Sequence, residues 1–486
     1  MGSTLLETRR LFVIILALGL FTMAARVVTD PDVWWHLRTG QLILQNHTVF
    51  HSDPYSFTKF GQPWVDHEWL SQLVIFSLYR VAGWGGLVAA FGAITAAAFL
   101  TAFLRCPGRP YVAGLITVWG ALASVPCWGV RPQVLTLLLA SVFLLILDRS
   151  YARPNLLWCT PPLLLLWVNL HAGYALGIAL LVLFLVGDAL DLAFGYRDSS
   201  HSNARFRRLA LVLTACIAVI PLNPYGTRMY WYPLETLHSR AMQVYIGEWL
   251  SPDFHQHRYL PTLFMMLLTL VLPALSPRRL RPRELLLLTA ATYMALRSVR
   301  HIPIYMLVAI PILSGMVQAM LEKAGKAGLF GAGSRPLPTP KLIFNLLLLI
   351  GLTVFTVARL RSVIGGQAKT EIREFPSAAV NYLAANRPPG PLLNHYNWGG
   401  YFIWKLHPDY PVYIDGRADV YGDSFLDGFA SSYYLKDKSW RDPLAAWGVR
   451  TVVLPPDAPL VIALKTMPDW QTVFADSQAV VLIRSK

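Results

Sequence analysis

The stretch DPDVWWHLRTGQLILQNHTVFHSDPYSFTKFGQPWVDHEWL, residues 30–70, is acidic at both ends. Asp30 and Asp32 open it; Asp66 and Glu68 close it, with His67 between them. Carboxylates suit a general base that takes a proton from a hydroxyl or amine. Asp30, Asp32, Asp66 and Glu68 are also candidate ligands for a divalent cation such as Mg2+ or Mn2+. His36 and His67 stand beside them as candidate substrate-binding groups. Further along come Arg131 in VRPQ, Asn169 and His171 in NLHAGY, Asn223 and Tyr225 in LNPYGTRMYWYP, Glu248, and Arg297, Arg300 and His301 in RSVRHIP. Arginines bind phosphate through a planar fork, and tryptophans and tyrosines cover sugar faces. A lipid-linked phosphosugar calls on all three chemistries at once.

The elements that must carry these groups are apolar. Of 486 residues, 55% are hydrophobic and 14% charged, with a mean hydropathy of +0.45. Soluble domains hold roughly 25% charged residues, so this is an integral membrane protein. About eleven transmembrane helices are expected, near 11–28, 84–104, 111–126, 133–147, 155–170, 173–191, 209–221, 260–274, 284–297, 303–320 and 341–359. The net charge of +15 sits mainly in short loops on one side of this pattern: Arg9/Arg10, Arg105/Arg109, Arg149/Arg153, Arg197–Arg208, Arg278–Arg283 and Lys323–Lys341. That is the positive-inside arrangement rather than a nucleic-acid footprint. It places the N-terminus in the cytoplasm and every polar group named above on the outer face of a cytoplasmic (inner) membrane. The first apolar run leads into no small-residue cleavage site and reads as a retained helix. Cys106, Cys127, Cys159 and Cys216 form no CxxC pair, which argues against a zinc site or a disulfide framework.

Three regions follow. Residues 1–359 form a transmembrane domain with a large first outer loop at 29–83. Within that loop 33–45 reads as an amphipathic helix and 68–81 as a helix lying on the surface, ending at Gly83. A Gly/Pro-rich linker at 321–340 is cytoplasmic. Residues 360–486 form a small extracytoplasmic α/β domain, with strands expected at 391–394, 411–415, 450–454, 471–475 and 479–484 and helices at 376–386, 423–435 and 440–447.

Blander readings compete with the chemical ones. Trp34, Trp35, Trp64 and Trp69 can be interface anchors. His171 can be a satisfied polar group at a helix end. Arg131, Arg297 and Arg300 can snorkel to headgroups. Asp53-Pro54 reads as turn chemistry, Asp30 as a helix cap, Gly399 and Gly400 as turn residues, and Asp415/Arg417 as a structural ion pair. Asp188 and Asp191 lie near the inner end of a span and pair with nearby arginines.

The loop resembles the first outer loop of the GT-C glycosyltransferases, most closely the protein mannosyltransferase and aminoarabinose transferase branch. There the loop runs from an Asp-Glu start through a Tyr-containing helix to a G-x-P-Y-x-E-like segment. Asp30 matches the leading aspartate, Pro31 replaces the glutamate, and Asp32 is its substitute. Trp34 falls at the tyrosine, and Gly61-Gln62-Pro63-Trp64 matches G-x-P-Y, which puts Asp66 at the later acidic position and Glu68 two beyond. The resemblance covers residues 1–320 in layout and only this loop in motif. It implies an inverting enzyme that moves a sugar from a polyprenyl-phosphate donor to a protein, lipid or glycan acceptor on the outer side, with membrane lipids as further partners. In that reading Asp30 or Asp32 is the base, Asp66, His67 and Glu68 orient the acceptor or hold a metal, and Arg131, Arg297 or Arg300 holds the carrier phosphate. The tail resembles domains appended to such enzymes, with NWGGYFIW (397–404) and YIDGRADVYG (413–422) suited to touching an acceptor. Two readings from other classes stay open: a transporter or flippase for a polar lipid, and a non-catalytic assembly subunit whose outer domain binds a partner.

Overall fold

The structure, a computed structural model, describes residues 8–196, 202–325 and 339–485. Most of the predicted linker, with Arg197, Lys326 and Arg335, lies outside them. The chain divides into two compact units, each assembled from separate stretches.

The first unit comprises Met1–Arg26, Val88–Tyr230 and Gly247–Val363. All eleven expected apolar runs are helical. Among the described residues seven helices are long and apolar enough to cross a membrane, and Arg10–Ala24 is a shorter apolar one. The other three, Thr160–Leu170, Ser202–Val219 and Pro282–Arg297, are shorter or begin in arginine-rich sequence. The protein is therefore a multi-pass membrane protein. Its helices Pro110–Ser124, Pro132–Arg149 and Pro282–Arg297 begin on proline, whose missing N–H costs nothing in a first turn. Ile302–Lys323 is the central helix, with 72% of its apolar window buried against Pro110–Ser124, Leu260–Leu275 and Pro282–Arg297. At one end Asp188 pairs with Arg205 at 2.8 Å and accepts from the Tyr151 hydroxyl, while Asp191 accepts from the Arg283 amide. These aspartates thus meet the arginine-rich segments, as expected.

The second unit comprises Val27–Leu87, Trp231–Ile246 and Ile364–Lys486. The loop helix is Val33–Asn46, close to the expected 33–45. Trp69–Leu104 carries both of the next two expected elements, and its continuity breaks at Gly83, where φ is +56°. A side chain resists that left-handed geometry, so glycine marks the joint. The sheet has four strands: β1 (Leu392–Asn394), β2 (Thr451–Leu454), β3 (Trp470–Ala475) and β4 (Val480–Arg484), in the order β1-β2-β4-β3. Only β1–β2 is parallel. β1 and β2 are buried throughout, as short uninterrupted apolar runs require.

One expected strand is absent. Segment 411–415 is extended but does not join the sheet. Its Val412 amide donates to the Tyr55 carbonyl (3.1 Å) and its Val412 carbonyl accepts from Phe57 (3.1 Å). The Asn394 side chain takes the Tyr413 amide and gives to the Ile414 carbonyl. First-loop backbone and one amide side chain satisfy the groups a ladder would have used. Gly399 and Gly400 are likewise not turn residues; they begin the helix Gly399–Leu406, packed tightly on neighbouring backbone.

Candidate active site

In the loop and tail unit the two acidic ends are joined through the Val33–Asn46 helix. The Asp30 carboxylate accepts from the Asp32 amide at 2.8 Å, so one oxygen does cap the turn at Pro31. Asp32 accepts from Trp35 Nε1 at 3.0 Å. The Trp35 ring lies 3.8 Å from that of His36, and His36 Nε2 stands 3.7 Å from Glu68 Oε2. The other Glu68 oxygen faces His67 Nε2 at 3.5 Å. Glu68 is thus buried between two imidazoles.

Asp66 is buried, accepts from the Gln72 side-chain amide through one oxygen, and at the other has no hydrogen-bond partner among the described residues. Burial pushes its carboxyl up to about 8, although Gln72 and His67 pull the other way. Burial disfavours a charged His67, but Glu68 outweighs it and holds the imidazole above its ordinary value.

The Trp231–Ile246 segment and the tail supply residues that no pattern in the loop points to. His67 Nδ1 lies 2.7 Å from the Tyr232 hydroxyl, which donates to Asp419 at 3.0 Å. With that hydrogen on the Asp419 side, the Tyr232 oxygen accepts the Nδ1 proton and leaves His67 Nε2 toward Glu68. Asp419 is itself raised by burial. Gly416 lies against Asp32 so closely that an added Cβ would sit 1.8 Å from Oδ1. Between these contacts Arg417 is fully buried. Its guanidinium forks onto Asp415 at 2.8 and 2.7 Å, reaches Asp53 at 2.7 Å, and stacks on Tyr55 and Trp64. The Asp415/Arg417 ion pair is therefore present and extends to the first loop. Asp53 also accepts from the Tyr55 and Ser56 amides, as a turn residue should. Trp34, Trp35 and Trp64 are core residues rather than interface anchors, with Trp34 edge-on to Trp84, Phe375 and Tyr401.

The helical unit holds the remaining predicted residues. Arg131 Nη1 pairs with Glu248 Oε2 at 2.6 Å, and Arg300 Nη2 faces Glu248 Oε1 at 3.4 Å. Burial opposes ionisation of Glu248, but Arg300 and Arg131 overcome it and hold the carboxyl at about 2. Arg300 lies over Trp249, whose ring also meets that of His301 edge-on. These arginines pair inside the protein and do not snorkel. Arg297 ends the helix Pro282–Arg297. His171 caps the helix Thr160–Leu170, its Nδ1 accepting from the Gly173 amide, the satisfied helix-end role. Asn223 donates to the Val168 carbonyl and to Asn169 Oδ1 and accepts from the Tyr225 amide. Asn169, Asn223 and Tyr225 thus brace a loop.

No family model matches the chain, and neither does any curated protein. Solved structures do. An oligosaccharyltransferase of Archaeoglobus fulgidus, tethered by a disulfide to an acceptor peptide with an NVT sequon, aligns over 93% of this chain and 69% of its own, with a TM-score of 0.60 and 13% identity. The oligosaccharyltransferase AglB of the same organism, with an inhibitory peptide and a dolichol-phosphate, aligns over 93% and 70%, at 0.56 and 12%. ArnT of Cupriavidus metallidurans, bound to undecaprenyl phosphate, aligns over 97% of both chains at 0.49 and 14%. At such identities the first two likenesses are of fold alone: this chain shares the fold of those oligosaccharyltransferases.

Proposed function

We propose that the protein is a membrane glycosyltransferase that moves a sugar from a polyprenyl-phosphate donor to an acceptor outside the cytoplasmic membrane. One observation carries the reading: Asp30/Asp32 and Asp66/Glu68, from opposite ends of the first loop, are linked through Trp35 and His36 within one compact unit. The neighbours named above hold an acceptor peptide or a dolichol-phosphate, both of which suit this reading.

Asp30 or Asp32 takes the acceptor proton as its nucleophilic atom attacks the anomeric carbon, the carbon–oxygen bond to the carrier breaks, and polyprenyl phosphate leaves. Glu68, fixed by His36 and His67, orients the acceptor. Arg131 and Arg300 hold the phosphate, with Arg297 as the further candidate. The unpartnered buried oxygen of Asp66 beside Glu68 fits a divalent cation of the Mg2+ or Mn2+ type. Asp30 and Asp32, separated from Glu68 by the Trp35 and His36 rings, do not share one ligand set with it among the described residues; a cation held by Asp66 and Glu68 would neutralise charge developing on the leaving phosphate.

Asp30→Asn and Asp32→Asn keep side-chain shape and remove the base. In nanodiscs supplied with undecaprenyl-phosphate glycosides and peptide, lipid and glycan acceptors, one of them should cut release of undecaprenyl phosphate by about 10²-fold or more. Full activity in both variants would overturn the assignment.

A further inference from the structure

The Glu248 site holds more than a salt bridge. Its carboxylate lies between two guanidinium groups, one oxygen to each. A phosphate offers arginine the same acceptor geometry. All three side chains are partly accessible, at 23% for Arg131 and Glu248 and 18% for Arg300, so an anion can reach the fork. Glu248 sits on a short turn, Gly247–Trp249, rather than inside a long helix. That turn is fastened through backbone: Ser298 Oγ donates to the Glu248 carbonyl at 2.8 Å, and the Val299 amide to the Leu250 carbonyl at 3.0 Å. The side chain can therefore swing without the turn moving.

We infer that Glu248 is a resident surrogate for the carrier phosphate: it fills the Arg131–Arg300 fork when the donor is absent and is displaced when the phosphate enters. This rests on the glycosyltransferase reading and adds a device to it. Two arginines in a half-buried site would otherwise repel each other and trap any anion. With Glu248 in place they stay paired, and its return after transfer helps expel the spent polyprenyl phosphate. Donor affinity is lowered by the fraction of time the fork is occupied, which is the ordinary cost of binding to a minor state.

The test is equilibrium binding of undecaprenyl phosphate to the full chain in nanodiscs. If Glu248 fills the fork nine-tenths of the time, Glu248→Gln should tighten binding by about tenfold. Arg131→Gln and Arg300→Gln should each loosen it. A Glu248→Gln protein that binds no tighter than wild type overturns the surrogate role. Binding that the arginine variants weaken but Glu248→Gln leaves unchanged removes the surrogate and keeps the glycosyltransferase reading. No binding by any variant removes both. Competition by millimolar inorganic phosphate as effective as by the lipid would name a free anion as occupant and overturn the carrier. A second readout avoids the variants: with 5-fluorotryptophan incorporated and Trp249 assigned through Trp249→Phe, the Trp249 19F resonance of otherwise wild-type protein should shift on adding undecaprenyl phosphate. An unmoved resonance at saturation counts against displacement.

Discussion

Arg417 offers the sharpest test of how the loop and tail unit is held together. One guanidinium compensates two buried carboxylates, Asp53 and Asp415, at 2.7–2.8 Å. Arg417→Met keeps much of the bulk between Tyr55 and Trp64 and strands both acids. Breaking one buried pair by deleting a partner costs about 3–5 kcal/mol, and here two charges lose their counterion. We expect about 4 kcal/mol, which is ~10³ in an opening equilibrium. The assay is native-state hydrogen exchange at the Asp53, Gly61 and Trp64 amides, which bond to the Gln62, Asp53 and His51 carbonyls. Their protection should fall by ~10³ if the loop opens with the network. The pH dependence gives a signature. Burial raises Asp53, but Arg417 and the Ser56 and Tyr55 bonds outweigh it and hold the carboxyl below its ordinary value near 3.8. In wild type that stabilisation is complete above the ordinary carboxylate pKa and is lost as pH falls through the lower folded one. In Arg417→Met the sign reverses, because uncompensated buried acids gain by taking up protons. Adding Asp53→Asn and Asp415→Asn should recover most of the loss. A drop in protection smaller than tenfold, or equal acid responses in both proteins, would refute the argument.

Other outcomes follow from the same contacts. Gly416→Ala places a methyl where Asp32 Oδ1 now lies, so transfer should fall sharply while far-ultraviolet circular dichroism stays helical. Tyr232→Phe and Asp419→Asn each interrupt one chain to His67. Their effects on transfer should be non-additive, with the double variant about as impaired as the worse single one; simple addition would show that they act separately.

Much of this was legible in the chain. Uninterrupted apolar runs gave the helices, and the Gly83 break falls where Arg80 and glycine end the preceding run. Strands β1, β2 and most of β4 were readable as short apolar runs that are buried, whereas β3 is half-buried to exposed and was readable from its β-prone composition alone. Segment 411–415 failed because a β-prone run does not say which backbone will satisfy it, and the Asn394 side chain and the loop did so. The tryptophans misled because an aromatic belt and an aromatic core have the same composition. Tyr232, Gly416 and Asp419 lie in the runs LNPYGTRMYWYP and YIDGRADVYG that stood out, but nothing local says which residue of each run meets the first loop. Each matters only through a partner far away in sequence, and Asp53 and Arg417 looked like an ordinary turn and an ordinary pair for the same reason.

The loop and tail unit is written in three instalments, residues 27–87, 231–246 and 364–486. During synthesis Asp53 emerges long before the arginine that neutralises it, and Asp32 long before the glycine that receives it. The early loop must therefore wait, unfinished, while the intervening helices enter the bilayer. A truncation before residue 417 leaves that loop without its counterion, and the tail expressed alone lacks the segments that complete its own interior. Completion of that loop thus waits on residues 364–486.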